Sequence, residues 1–375
     1  MRVLILNWKD LAHPAAGGAE VFTEEVARAL VRRGHQVTLF AAAVAGRPER
    51  ELVEAVQVVR RGSRTGVYRA ARRFWAEQGG AGFDVVVDEI NTRPFLTPRW
   101  VRGTPVVALI HQLAREIWSC ELPFPVSVVG RYVLEPLWLR SYRSVPALTV
   151  SKSSADSLAR YHGWRDVTIV PEGHTPHPVP VVPKEATPTV VFLGRLVAMK
   201  RPAEAVAAFQ LLARDVPEAR LWVIGEGPLL ERLRASAPPQ VSFLGRLGRE
   251  AVLDRLARAH VLVATSVREG WGLNVSEAAA CGTPAIGYAV PGLTDAVPAS
   301  GGALVEPRVE ALTEALRQFF AGTLELEPRI STVPWPEVAE LVERRLAQVL
   351  ADSEPEAAPH TGAVRGGVQR RERGE

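Results

Sequence analysis

The chain is 375 residues long, more than one compact core usually holds, so two domains are expected. Hydrophobic residues at 47% and charged residues at 23% fit an ordinary globular composition. The net charge is only +4, with no aromatic-rich basic module and no zinc-finger or basic-zipper spacing, which argues against a nucleic-acid partner.

The two cysteines, Cys120 and Cys281, lie far apart. That argues against a disulfide framework or a cysteine metal cluster and fits a reducing compartment. The apolar start, Met1–Leu6, is too short for a signal peptide, and no apolar run approaches the roughly 18–20 residues of a membrane span. The expectation is a cytoplasmic protein, with peripheral contact to the inner face of a membrane as a further option.

In chain order, Val3–Leu6, Gln36–Phe40, Asp84–Val87, Pro105–Ile110 and Ala147–Val150 read as strands, with helical patterns at Glu20–Arg32 and Gly66–Glu77. Continuous apolar strands alternating with helices predict a parallel sheet covered on both faces. Pro171–Pro188 carries six prolines and reads as a stiff linker. The rhythm then restarts, with strands at Val190–Leu193, Arg220–Ile224, Val241–Leu244, Val261–Ala264 and Pro284–Gly287. Helices are expected at Pro202–Arg214, Pro228–Ala235, Arg249–Arg258 and Leu273–Cys281. The predicted architecture is α/β, with a first Rossmann-like domain over 1–175 and a linker over 176–188. A second domain covers 189–334, a helix over 335–350 is placed to cross back to the first domain, and 351–375 form a disordered tail. Two open α/β sheets on a hinge leave a cleft at the carboxyl ends of their strands, where such sheets bind ligands.

Several polar groups fall at that cleft. Glu269–Glu277 reads EGWGLNVSE, with Gly270 and Gly272 in a loop ahead of a helix. Free backbone N–H groups at the helix start suit an anion. Eight residues of helix would span about 12 Å and turn about 80°. Glu269 and Glu277 therefore cannot form the ~5 Å carboxylate pair of a retaining glycosidase. They must serve separate sub-sites, unless the stretch is only a glycine loop before a surface helix. Arg195 and Lys200 follow a strand-end glycine and suit a diphosphate, or are two solvated cations. Gly17-Gly18 before a helix lets backbone approach a ligand, or is a plain turn. His111 ends a strand at the cleft mouth, as catalyst or as structural hydrogen-bonder. Asp88, Glu89, Asn91, Arg93 and Glu172 are acceptor-site candidates, with ordinary loop polarity as the alternative. Arg60, Arg61, Arg64, Arg69, Arg72 and Arg73 surround one helix with no acid among them, and suit anionic lipid, an anionic acceptor or plain solvent. Trp118, Phe124 and Trp138 are expected to pack the core of a helical insertion, with stacking on a sugar or an apolar acceptor as the alternative.

Taken together, Glu269-x7-Glu277, the strand–GRL–x–Lys element around Arg195 and Lys200, and the turn Ile224–Pro228 resemble the retaining family-4 glycosyltransferases of the GT-B fold. The resemblance implies that Arg195 and Lys200 bind the diphosphate of a UDP- or GDP-sugar donor, and that Glu277 holds the ribose. It places Glu269 on donor-sugar hydroxyls, His111 near the transferred sugar and backbone N–H groups near Leu273 and Asn274 at the distal phosphate. Gly18 would close on the phosphates and Gly245-Arg246-Leu247 would flank the base. No metal and no cofactor beyond the donor are implied, since no Asp-x-Asp motif occurs. The acceptor is a hydroxyl or other nucleophile on a small molecule, glycan or lipid. The competing readings are a nucleotide-sugar epimerase or dehydrogenase, against which the missing glycine fingerprint counts, and a nucleotide-sugar binder without turnover. The chain departs from the family pattern at Glu172-Gly173, where Asn-Gly is common.

Overall fold

The computed structural model describes residues 1–79, 82–174 and 182–353. Eight strands form the first sheet: β1 (Arg2–Leu6), β2 (Gln36–Ala41), β3 (Arg50–Val53), β4 (Val56–Arg60), β5 (Val85–Glu89), β6 (Val106–Leu109), β7 (Ala147–Thr149) and β8 (Val167–Ile169). Their order is β3-β4-β2-β1-β5-β6-β7-β8. Every pairing is parallel except β3 with β4. The central strands are buried on both faces, β5 along its whole length and β1 from Val3 onward, which is why they read as unbroken apolar runs rather than alternating ones.

A short strand β9 (Gly173–His174) ends the first half. The second sheet contains β10 (Thr189–Leu193), β11 (Arg220–Ile224), β12 (Val241–Gly245), β13 (Val261–Ala264), β14 (Ala285–Tyr288) and β15 (Ala303–Val305), in the order β12-β11-β10-β13-β14-β15. All its pairings are parallel. In each sheet the strand order reverses beside the first strand, between β1 and β5 and between β10 and β13. Crevices open at such switch points, and loops from both meet in this molecule.

The chain then returns. Strand β16 (Val333–Pro334) pairs with β9, and the helix Trp335–Ser353 follows. Trp335, Val338, Val342, Leu346 and Val349 form one stripe of that helix at steps of three and four residues. They are buried with Phe22, Val26 and Leu30 in the core of the first domain. Gly173 makes this docking possible. A Cβ there would lie 2.3 Å from the Trp335 ring.

Several expectations change. The β3–β4 hairpin escapes a reading by apolar runs because its outer strand is half exposed and polar, and Glu54 and Ala55 turn it with positive φ of 46° and 68°. Residues 182–188 of the expected linker are anchored to the second domain. Lys184 Nζ donates to the carbonyls of Ala259 and Gly282 at 2.7 and 2.9 Å. Linker residues 176–181 and tail residues 354–375 lie outside the described residues, and Ala351–Ser353 extend the last helix instead of opening a tail. Among the described residues, no helix is long and apolar enough to cross a membrane.

Candidate active site

The second-domain half of the site sits on loops after β10 and β13, the two strands flanking its switch point. Gly225 and Gly227 let the turn after β11 press on the β10 loop. A Cβ at Gly225 (φ +136°) would lie 2.0 Å from the carbonyl oxygen of Gly194. Leu196 N–H donates to Glu226 O at 2.8 Å, which fixes the backbone beside Arg195. The Arg195 side chain is exposed, with no ion-pair partner among the described residues. Lys200 instead forms a close ion pair with Glu269, which also accepts from Ser266 Oγ. Glu269 is clamped from behind: its N–H donates to Pro291 O at 2.9 Å, and Gly292 (φ +85°) leaves no room for a Cβ against its carbonyl.

Gly270 and Gly272 connect Glu269 to the helix Leu273–Ala280, with Gly272 at φ +119° as its cap. Glu269 lies before this helix, so only Glu277 of the two carboxylates is helical, and the expected helical separation does not describe the pair. Their partners still differ: Glu277 is paired with Arg249, not with Lys200. Asn274 spends its side chain within the second domain, donating to Leu193 O at 2.9 Å and accepting from Val275 N–H at 3.1 Å. At the end of β12, Gly245 accepts from Gly225 N–H at 2.8 Å; beyond it, Arg246 is exposed and Leu247 is partly buried against the core.

The first domain contributes from the ends of β1, β5 and β6. Gly17 N–H donates to Glu20 at 2.7 Å, and Glu20 pairs with Lys9 at 3.0 Å, holding the glycine turn shut. Burial pushes the Glu20 carboxyl up, against the pull of Lys9. Gly18 meets the second domain directly, since a Cβ there would sit 3.0 Å from Leu273 Cδ1. His111 is buried between two carboxylates, with Nε2 3.5 Å from Glu89 and Nδ1 3.8 Å from Glu172. Burial opposes a charged ring, but Glu172 and Glu89 outweigh it and raise the His111 pKa to about 10. Phe22 packs edge-on against the imidazole, with ring centroids 5.1 Å apart. Gly270 lies on the His111 backbone, 2.9 Å from its carbonyl oxygen if given a Cβ. Gly18, His111, Lys200, Glu269 and the start of the Leu273 helix are thus gathered into one interdomain cleft.

Not every candidate reaches it. Asp88 is fully buried and spends its oxygens on Tyr142 Oη, Thr97 Oγ1 and the N–H groups of Phe95 and Thr97. It anchors a loop and has no surface for an acceptor. Glu89 receives the Thr23 hydroxyl and fixes His111, and Glu172 does the same from the other side, so both act through the imidazole. Asn91 donates to Asn7 Oδ1 at 2.9 Å, and Arg93 lies over the Tyr68 ring at 4.3 Å. The arginine cluster is less free than its sequence suggests. Arg60 is buried against Asp10 and Glu51, and Arg61 pairs with Glu49 and Glu77, leaving Arg64, Arg69, Arg72 and Arg73 exposed.

Sequence reasoning missed the groups that join the domains. Arg268 is buried and bonds Glu116 at 2.9 Å and Ser157 Oγ at 3.2 Å across the cleft. Ser153 accepts from Gly292 N–H at 2.7 Å and donates its own N–H to Asp295 at 3.2 Å. None of these types carries a motif, and each partner lies more than a hundred residues away.

Two parallel-sheet domains facing a cleft with these loops define the GT-B class of glycosyltransferase. Sucrose-phosphate synthase from Thermosynechococcus elongatus superposes with a TM-score of 0.76 at 18% identity, covering 94% of this chain and 100% of that one. WaaG, a glycosyltransferase involved in lipopolysaccharide biosynthesis, superposes with a TM-score of 0.69 at 18% identity, covering 92% and 99%. The chain belongs to Glycosyltransferase Family 4: residues 16–176 match the model of that name, and residues 177–332 match Glycosyl transferases group 1. It is 38% identical over 137 residues to a GDP-mannose-dependent alpha-(1-6)-phosphatidylinositol dimannoside mannosyltransferase of Mycobacterium tuberculosis, a match spanning 35% of this chain and 36% of that protein. It is 26% identical over 332 residues to a D-inositol 3-phosphate glycosyltransferase of Xylanimonas cellulosilytica, spanning 75% of this chain and 78% of that protein.

Proposed function

We propose that this glycosyltransferase moves a hexosyl unit from a UDP- or GDP-sugar to an acceptor hydroxyl, with retention at the anomeric carbon and without a metal ion. The observation that carries the reading is the Lys200–Glu269 ion pair at the switch point, beside exposed Arg195 and the start of the Leu273 helix. A lysine and a carboxylate that neutralise each other in the free protein can each be released to a donor. Lys200 turns to the diphosphate with Arg195, and Glu269 turns to sugar hydroxyls. Relatives supply both donor types: one is named for GDP-mannose, and a solved neighbour, HepE of Anabaena, binds UDP and glucose.

In this mechanism the C1–O bond to the diphosphate breaks and the bond from C1 to the acceptor oxygen forms on the same face. The acceptor proton passes to the departing phosphate oxygen. Arg195, Lys200 and the helix-start N–H groups stabilise the charge that develops there. Glu172 and Glu89 favour the charged ring against the opposing burial, which suits His111 as a hydrogen-bond donor to the sugar rather than as a base. The acceptor sits on first-domain loops near Asn91, Arg93 and His111.

The test is release of nucleoside diphosphate from a panel of UDP- and GDP-sugars, with and without a strong chelator. Slow release that survives chelation and falls at least about a hundredfold in Glu269→Ala supports the reading. Donor binding with no release under any acceptor would reduce the protein to a sugar-nucleotide binder. Release restored only by a divalent ion would refute direct neutralisation by Arg195 and Lys200.

A further inference from the structure

The described chain leaves twelve large apolar side chains exposed, and eight of them fall between Leu122 and Leu137. This segment lies in the helical insertion between β6 and β7. The insertion runs through the helix Arg115–Glu121, the short helix Val126–Val129, a π-helical turn Gly130–Leu134 and the helix Glu135–Leu139. Phe124 is 82% exposed and Tyr132 60% exposed, with Val126, Val129, Val133 and Leu137 also turned to solvent.

The face is presented by a rigid platform. Trp118 is buried beneath it, and Gly130 lies so close that a Cβ would fall 2.1 Å from the Trp118 ring. Glu135 is buried and accepts from the N–H groups of Ala114 and Arg115 and from Trp118 Nε1, each at 2.9 Å. The insertion therefore packs its inner face well and still leaves its outer face apolar.

Charge decides what covers that face. From Leu122 to Arg143 the acid is Glu135, which is buried, whereas Arg140 and Arg143 are exposed. Arg131 lies on the Tyr132 ring at 5.2 Å and pairs with Glu116 at 3.4 Å, so the exposed cations beside this face are Arg140 and Arg143. Apolar and aromatic side chains from Leu122 to Leu137, with exposed Arg140 and Arg143 at one end and one exposed acid at the other, Glu121, which is held by Met199 N–H, match an anionic phospholipid surface. The apolar stretch is too short and too broken to span a bilayer, so it would lie in the interface. We infer that the face from Leu122 to Leu137 docks this protein on anionic membrane.

The placement also orients the cleft. The insertion's first helix touches the donor loops: Glu116 pairs with Arg268, and Glu121 accepts from Met199 N–H at 3.3 Å, next to Lys200. Docking then holds the cleft near headgroup level, where a lipid-linked acceptor hydroxyl is presented. That consequence rests on the transfer reading above; the docking does not.

Flotation with vesicles of equal parts phosphatidylglycerol and phosphatidylcholine, against pure phosphatidylcholine, tests it. The protein floats with the anionic vesicles. Phe124→Asp/Val133→Asp lowers the bound fraction roughly tenfold or more, and Arg140→Gln/Arg143→Gln removes the preference for phosphatidylglycerol. Both variants keep the melting temperature and the solution rate of nucleoside diphosphate release, because all four positions are exposed and outside the cleft. Flotation without any donor turnover would fault the transfer reading alone. The inference is overturned if the protein stays unbound at low salt or if the Asp variant floats equally well. It is also overturned if the protein is a dimer that the Asp variant splits while vesicle binding is absent, which would make the face an interface between copies.

Discussion

Replacing Gly270 by alanine tests whether the cleft must close to the observed distance. The new Cβ would lie 2.9 Å from His111 O, 3.1 Å from His111 Cβ and 3.2 Å from Val150 Cγ2. Ordinary contact begins at 3.4 Å, so the two loops must separate by about 3.4 − 2.9 = 0.5 Å. The His111 carbonyl cannot simply yield, since Ser154 Oγ donates to it at 2.8 Å. Gly270 has no positive φ, so alanine itself is unstrained there. The clash lies between domains, and opening the hinge relieves it with little loss of packing. Stability should therefore change by less than about 1 kcal/mol. Turnover behaves differently: if a misplacement of about 1 Å costs about a hundredfold, half of that costs about tenfold. The assay is kcat for nucleoside diphosphate release beside a thermal melt. An unchanged kcat refutes the need for this closure. A melting temperature that falls along with kcat refutes the claim that the contact is one of closure rather than of folding.

Arg249→Gln releases Glu277 from its ion pair, which is half exposed on the arginine side, and should tighten UDP or GDP binding by up to about fivefold in calorimetric titration. Weaker binding would show that Arg249 itself holds the nucleotide. His162 is buried, and burial together with Arg115 and Arg143 lowers its pKa to about 4. The unfolded chain takes up this proton below about pH 6.5 while the folded one does not, so stability is lost as pH falls from about 6.5 towards 4, by roughly 3 kcal/mol in all. His162→Phe should flatten that loss in urea midpoints measured at pH 7 and pH 4.5, and a difference between the two proteins that does not change with pH would exclude His162 as its source.

Much of the fold was legible because a parallel strand buried on both faces writes an unbroken apolar run into the sequence. The ten predicted strands all occur, although β12 is only partly buried; of those missed, β3, β8 and β15 are partly buried and carry no such run, and buried β4 has its run broken by Gln57. The glycine turns were legible for a local reason as well: Gly194 before Arg195, and Gly270 with Gly272, sit in strand-to-helix turns whose backbone demands are set by near neighbours. The C-terminal helix was legible as a helix by its period, and its stripe of Trp335, Val338 and Val342 shows that one side must be covered.

Residue type alone did not say which side of an element faces out. Trp118 and Phe124 stand six positions apart in one insertion, yet one is buried beneath Gly130 and the other is almost fully in water. The elements, the two-sheet rhythm and the glycine loops between strand and helix follow from residues a few positions apart. Long-range packing brings Lys200 to Glu269 across 69 residues and Arg268 to Glu116 across 152, and sets Glu89 and Glu172 on either side of His111. Those pairings depend on which strands lie side by side and on how two domains face each other, and no local pattern encodes that order.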